Sequence, residues 1–413
     1  MKDSERNFHL IVWGATGFTG KLVVEYLLAR YGVNQDLCWA VAGRSSSKLE
    51  ALKVELGDAA GELPVLTADS HDRPSLDALV SQARAVISTV GPYAVYGSEL
   101  VAACVEEGTH YCDLAGEVQW MRKMIDQHES AARKSGARIV HACGFDSIPS
   151  DIGVYYLQRE AMRRFGKPCS SVKMRVRAIK GGASGGTVAS MMNAMQEGQA
   201  DRGVARILVH PYSLNPEDAR SGPDQRDQTG PVHDKDLDAW TAPFVMAAIN
   251  TKVVRRSNAM MQFAYGRDFS YQEAMFTGPG IAGHLKAIQL TLGLGGVILA
   301  GSVSVLRSAM ANYLLPKPGE GPGKKKREEG FYKLIFLGET DQGQSIMVEV
   351  RGDRDPGYGS TSKIIGEAGV CLALDELPVE GGFWTPASAM GDALLRRLPA
   401  SAGLTFSVAE PIE

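Results

Sequence analysis

The chain has 413 residues, 44% of them apolar and 22% charged, with a formal net charge of −3. A chain of this length suggests two or three domains of ordinary folded composition, which excludes wholesale disorder and a collagen-like repeat. The near-neutral charge gives no field toward a polyanion and argues against a nucleic-acid partner. The six cysteines form no C-x-x-C pair, so no metal site is expected. The first eight residues carry charges of both signs without a secretory apolar run, so the expected location is cytoplasmic.

In chain order, residues 9–13 read as a strand and Gly14-Ala15-Thr16-Gly17-Phe18-Thr19-Gly20 as a glycine turn. Val23, Val24, Tyr26, Leu27 and Leu28 then mark the apolar side of a helix. Such a turn brings backbone N–H groups and the positive helix end to a pyrophosphate, with glycines allowing positive φ and close approach. Gly14, Thr16, Gly17, Phe18, Thr19 and Gly20 are therefore candidate cofactor ligands. The spacing is G-x-x-G-x-x-G, not the commoner G-x-G-x-x-G, and its weight comes from the strand–helix context and a second strand downstream.

That second strand, residues 37–42, ends in Gly43-Arg44-Ser45. An NAD-specific domain places an acid here for the ribose 2′-hydroxyl; Arg44, with Ser45 and Lys48, instead suits a 2′-phosphate. The expected cofactor is NADP(H). Residues 64–69 and 85–90 read as further strands around a helix that includes 76–81. The alternation predicts an α/β fold with a Rossmann-type doubly wound parallel sheet, whose ligands gather at the strand carboxyl ends. Asp69 then falls at the adenine edge, and Thr89, Gly91, Pro92 and Tyr93 on the nicotinamide side.

A helix over 98–107 leads to Tyr111, Asp113 and Glu117, and a strand over 137–143 leads to Asp146 and Ser147. All five residues lie at strand ends on the ligand side, where caps and turns use the same residue types. Tyr93 and Tyr111 are the candidate catalytic acids, with Asp113 and Glu117 as orienting groups.

Five segments together, Gly14 to Gly20, Ala42-Gly43-Arg44, Ser88-Thr89-Val90-Gly91-Pro92-Tyr93, Tyr111-Cys112-Asp113-Leu114-Ala115-Gly116-Glu117 and Gly144-Phe145-Asp146-Ser147-Ile148-Pro149-Ser150-Asp151, resemble the saccharopine dehydrogenase-like oxidoreductases. Within that family the chain looks most like the trans-acting enoyl reductase branch. Gly185-Gly186-Thr187, Asp355-Pro356-Gly357-Tyr358-Gly359, Thr385-Pro386-Ala387 and Gly391-Asp392-Ala393-Leu394 extend the likeness over nearly the whole chain. The resemblance implies a Rossmann-type domain, a second α+β domain with a mixed or antiparallel sheet, and NADPH-dependent reduction. In the enoyl reductase branch it implies the double bond of a polyketide-derived lipid intermediate as acceptor. The saccharopine reductases proper work on a C–N bond of an amino acid, a reading that would call for converging arginines such as Arg175 and Arg177.

Further along, residues 172–178 alternate as a half-buried strand, and a Met-rich helix over 188–195 follows a glycine break. Its methionines serve either as core filling or as an adaptable wall for an apolar ligand. Residues 215–236 read as a long loop, and 331–337 with 345–351 as paired antiparallel strands. Residues 287–306 contain no Asp, Glu, Lys or Arg; they suit a buried or interfacial helix, or one contacting a membrane. The linker 316–327 ends in four consecutive cations, which read as a solvated tether or as a contact with anionic lipid. A helix capped by Thr385, with Leu394, Leu395 and Leu398 on its apolar side, is expected to pack back on the first domain.

The expected domains are thus 1–150, 151–384 and a C-terminal element 385–413. The expected partners are a small-molecule or acyl-lipid substrate, peripheral membrane contact, and a second copy in a homo-oligomer. A short-chain dehydrogenase mechanism is set aside, because Pro316 interrupts the Tyr313 and Lys317 pair it would need. A non-catalytic, membrane-tethered NADP(H)-binding protein stands as the third reading.

Overall fold

The computed structural model describes residues 6–182, 185–224, 226–302 and 321–409. The Tyr313 and Lys317 pair, residues 303–306 of the apolar run and 316–320 of the linker lie outside these. Strands β1 (Phe8–Trp13), β2 (Trp39–Gly43), β3 (Val65–Thr67), β4 (Ala83–Ser88), β5 (His110–Asp113) and β6 (Arg138–Val140) form a parallel sheet in the order β6-β5-β4-β1-β2-β3. The order reverses between β1 and β4, which places a ligand crevice at their carboxyl ends. Residues 10–12, 39–42 and 85–87 are fully buried, the continuous apolar pattern of strands covered on both faces.

Helix Ile148–Phe165 carries the chain to a second sheet. Its strands are β7 (Ser171–Lys180), β8 (Val232–Asp234), β9 (Ala239–Ala242), β10 (Ser270–Gly278), β11 (Phe331–Glu339) and β12 (Ser345–Gly352). Strand β13 (Gly382–Trp384) returns to the first sheet beside β6, and β14 (Leu404–Ala409) closes the second beside β12. The β7 and β10 pair is parallel and the other pairs are antiparallel, so the second sheet is mixed. The α/β Rossmann-type sheet and the second α+β lobe expected from the sequence are both present.

The chain divides differently from the expected 151–384 and 385–413. Helix Thr361–Leu374 lies on the first sheet, where a Cβ at Gly369 would overlap Ile87. This helix is buried on nearly every side, so its own periodicity does not say which sheet it covers. Helix Pro386–Arg397 packs between it and helix Ile148–Phe165, while the last strand joins the second sheet. One continuous core runs through Val12, Ile87, Ile152, Phe336, Ile365 and Leu394, tying the lobes together.

Candidate active site in the interlobe cleft

The glycine turn is built around close approach. Gly14 has φ +85°, its N–H bonds Ala42 O at 2.9 Å, and a Cβ on Gly20 would overlap the Gly14 carbonyl. Helix Phe18–Tyr31 begins at Gly17 with no side-chain cap and no acid in its first turn. Among the described residues no side chain caps its leading N–H groups at the crevice, which fits a pyrophosphate. Thr89, just past β4, bonds Trp13 O at 3.1 Å and Gly14 O at 3.3 Å, locking the turn to the neighbouring strand.

Beyond β2, Arg44 and Lys48 are exposed, as a 2′-phosphate site needs. Ser45 is half-committed: its Oγ caps helix Ser46–Leu56 by accepting from Lys48 N at 3.3 Å. Asp69 holds the turn after β3, accepting from His71 N at 2.9 Å. On the other side of the crevice, Gly91 and Pro92, joined by a cis bond, lead into Tyr93.

The structure sets the four catalytic candidates in different surroundings. Only Tyr93 lines the cleft. Its hydroxyl donates to Ser88 O at 3.1 Å and accepts from Leu114 N at 3.0 Å, and burial raises its pKa well above the ordinary tyrosine value. Tyr111 is wholly buried in the first lobe, and burial likewise drives its phenol upward. Asp113 Oδ1 accepts from Ala115 N at 3.0 Å and Ala142 N at 3.1 Å, while Oδ2 lies 2.7 Å from His141 Nδ1. It clamps the ends of β5 and β6 together. Glu117 accepts from Tyr93 N at 2.7 Å, Ala94 N at 3.0 Å and Ser190 Oγ at 2.8 Å. Burial raises the Glu117 pKa and these donors oppose the rise. Because β5 is an interior strand covered on both faces, Asp113 at its end turns inward and satisfies backbone N–H groups, while the Tyr111 hydroxyl is buried without a partner among the described residues.

The cleft holds a cavity of about 740 Å³. Its lining includes Gly17, Phe18, Thr19, Thr89, Gly91 and Pro92 of the first lobe. It also includes the apolar set Met191, Met195, Leu208, Phe244, Met246 and Ile249. Thr361, Tyr358 and Asp146 also line it; Asp146 is the one carboxylate, and no lysine or arginine is present, among the described lining residues, while the Tyr358 hydroxyl accepts from Gly185 N at 3.1 Å. Desolvation, with Asp113 nearby, pushes the Asp146 carboxyl up to about 7. The adaptable-wall role of the methionines thus applies to Met191 and Met195, while Met192 is buried. Tyr358 and Thr361 reach the site only because helix Thr361–Leu374 returns to the first lobe, and no local pattern signalled that.

The cationic segment lies beside the cofactor turn: Arg327 stands over the Phe18 ring at 5.5 Å, and Phe18 meets Tyr358 edge-on at 4.8 Å. Its lysines Lys324 and Lys325 point to solvent.

Residues 10–140 match the saccharopine dehydrogenase NADP binding domain family. A Mycobacterium tuberculosis (strain ATCC 25618 / H37Rv) protein named among the trans-acting enoyl reductases is 41% identical over 412 residues, 97% of each chain. The trans-acting enoyl reductase of Mycobacterium ulcerans (strain Agy99) is 38% identical over 415 residues, again 97% of each chain. Among solved structures, apo saccharopine dehydrogenase (L-Glu forming) from Saccharomyces cerevisiae shares the fold with a TM-score of 0.50 at 12% identity, covering 97% of this chain and 99% of that one.

Proposed function

Since the chain belongs to the saccharopine dehydrogenase-like family, in its trans-acting enoyl reductase branch, and is an NADP-dependent oxidoreductase, we propose that it reduces the C=C bond of an acyl or polyketide-derived lipid intermediate. The observation that carries this reading is the cavity: one space lined both by the glycine turn and by methionine, leucine and phenylalanine side chains. Such a wall accepts an acyl chain by shape and desolvation. NADPH, when bound, supplies the hydride. The glycine turn and Arg44 hold the phosphates, and Thr89 with Gly91 and Pro92 sets the nicotinamide end against the chamber.

The amino-acid alternative loses its recognition groups. Arg175 is paired with buried Asp234 at 2.6 Å, and Arg177 lies over the Phe276 ring at 3.8 Å. No arginine or lysine is among the described lining residues, so nothing there matches a substrate carboxylate. The test is NADPH oxidation by a series of 2-enoyl thioesters of rising chain length, with the product identified by its gain of two hydrogens. Turnover that improves with chain length supports the reading. Oxidation of NADPH by none of them, with turnover on an amino-acid substrate, overturns it.

A second surface supports lipid delivery. Helix Gly280–Ser302 leaves Ile281, Leu285, Leu292 and Leu299 between 62% and 81% exposed, and only 11% of its most apolar window is buried. Its last turn reaches Met192 and Met195, the latter a residue of the chamber wall. The reading adopted is peripheral contact with the cytoplasmic membrane face, from which the acyl chain enters the cavity. Co-sedimentation with phospholipid vesicles that is lost in Leu285→Glu/Leu292→Glu supports it. Protein left in the supernatant refutes it, and a size change caused by the same pair without vesicles assigns the helix to a homo-oligomer contact instead.

A further inference from the structure

Reduction of an enoyl group needs a proton as well as a hydride, and the groups first considered for it are committed elsewhere or, in Tyr111, buried outside the cavity lining. Tyr93 gives its proton to Ser88 O, and Asp113 and Glu117 are acceptors for backbone N–H groups. The loop between β6 and helix Ile148–Phe165 is different. Phe145 N–H is taken by Thr361 Oγ1 at 3.0 Å, Ser147 Oγ bonds Asn250 Oδ1 at 3.0 Å, and Ile148 N bonds Gly144 O at 3.0 Å. Each of these groups rigidifies the loop. The Asp146 carboxyl has only its own backbone N–H against it among the described residues, and it lines the cavity that the glycine turn and the apolar side chains share.

We propose that Asp146 is the proton donor of the reaction, delivering its proton from the cavity wall to the α-carbon of a bound enoyl group. The assignment rests on the substrate class proposed above. In the step, hydride adds to the β-carbon and the π electrons move toward the carbonyl, leaving an enolate. The enolate then forms its α-C–H bond as the Asp146 O–H bond breaks. Asp146 is left as a carboxylate and recovers its proton from solvent, so one hydride and one proton account for the two hydrogens gained. Its environment supports the role: burial and the Asp113 carboxylate keep it protonated to about pH 7, the Tyr93 phenol lies within reach of its charge, and the Tyr358 phenol lines the same cavity. A general acid of this kind contributes on the order of 100-fold or more to the rate.

The experiment compares wild type, Asp146→Asn and Asp146→Glu in single-turnover reduction of a 2-enoyl thioester across pH 5–9, alongside NADPH binding. The expected result is a wild-type rate that falls as pH rises above about 7, at least about 100-fold loss with a flat profile in Asp146→Asn, and partial recovery in Asp146→Glu. NADPH affinity stays within about twofold throughout. An Asp146→Asn enzyme that keeps the wild-type rate and profile overturns the assignment while leaving the substrate class intact. Loss of rate together with NADPH affinity also overturns it, since the role is then structural. A wild-type enzyme inactive on every enoyl thioester removes the substrate reading and this assignment with it.

Discussion

Glu117 of the first lobe accepts a hydrogen bond from Ser190 Oγ of the second at 2.8 Å, while the same carboxylate caps the turn that carries Tyr93. One buried side chain therefore joins the turn that carries Tyr93 to the helix whose Met191 and Met195 line the cavity. Removing its two ends has unequal costs. Glu117→Ala strands the buried N–H groups of Tyr93 and Ala94 and is expected to cost about 2–4 kcal/mol, whereas Ser190→Ala removes one neutral donor for about 1 kcal/mol. Denaturant unfolding of both variants checks this, and equal losses would refute it.

The two tyrosines separate by the same logic. Tyr93→Phe leaves Leu114 N–H without its acceptor and is expected to destabilise by about 1–2 kcal/mol while keeping the wild-type pH profile of turnover. In Tyr111 the buried hydroxyl faces Ser88 Oγ outside hydrogen-bond geometry, so Tyr111→Phe is expected to be neutral or slightly stabilising. A Tyr93→Phe enzyme with the pH dependence abolished would return that residue to the role of acid.

Arg44→Ala is expected to weaken NADPH binding about 10- to 100-fold and NADH binding much less, because a charge-assisted pair to the 2′-phosphate is worth about 1.5–3 kcal/mol. Fluorescence titration with the two nucleotides decides it. Equal losses would place Arg44 on the pyrophosphate or outside the site.

Gly369→Ala tests the return of helix Thr361–Leu374 to the first sheet. The added Cβ would press on Ile87 and Leu10, and overpacking of a rigid core is expected to cost about 1–3 kcal/mol. An unchanged unfolding midpoint would mean that the helix has room to shift.

Stability should depend on pH through Asp151, whose buried carboxyl bonds Ser257 Oγ at 2.5 Å and Ala387 N at 2.8 Å and is raised from 3.8 to about 7. The folded state then holds this proton more tightly than the unfolded chain does. Its contribution is full below about pH 4, declines as pH rises to about 7, and is constant above. Asp151→Asn is expected to flatten that decline, measured by unfolding at pH 5, 6 and 7.5. An identical slope would assign the dependence to other groups.

The glycine turn, Arg44 and the parallel sheet were legible in the sequence because each rests on local chemistry: a positive φ at Gly14, a helix start without an acid, an apolar strand buried on both faces. Strand ends also located Tyr93, Asp113 and Glu117 in the right region. Their direction was not legible, since the same residue types serve as buried clamps and as reacting groups, and only tertiary packing turned Asp113 onto Ala142, Glu117 onto Tyr93 N and Ser190, and the Tyr93 hydroxyl onto Ser88 and Leu114. Asp146 was visible as one polar residue in a loop. Its distinction came from the partners that its neighbours found on remote elements, Thr361 and Asn250, which left its carboxyl facing the cavity.

By itself the sequence therefore determined the nucleotide half, because strand, turn and helix there are set by contacts within a few dozen residues. Tertiary structure alone decided where the chain crosses back at β13, which side of the cleft Tyr358 and Thr361 supply, and that Met191 and Met195 wall a cavity while Met192 is core. Those outcomes depend on pairings between segments more than 200 residues apart, such as β13 with β6 and Phe145 with Thr361. An apolar pattern demands burial without naming the surface that provides it.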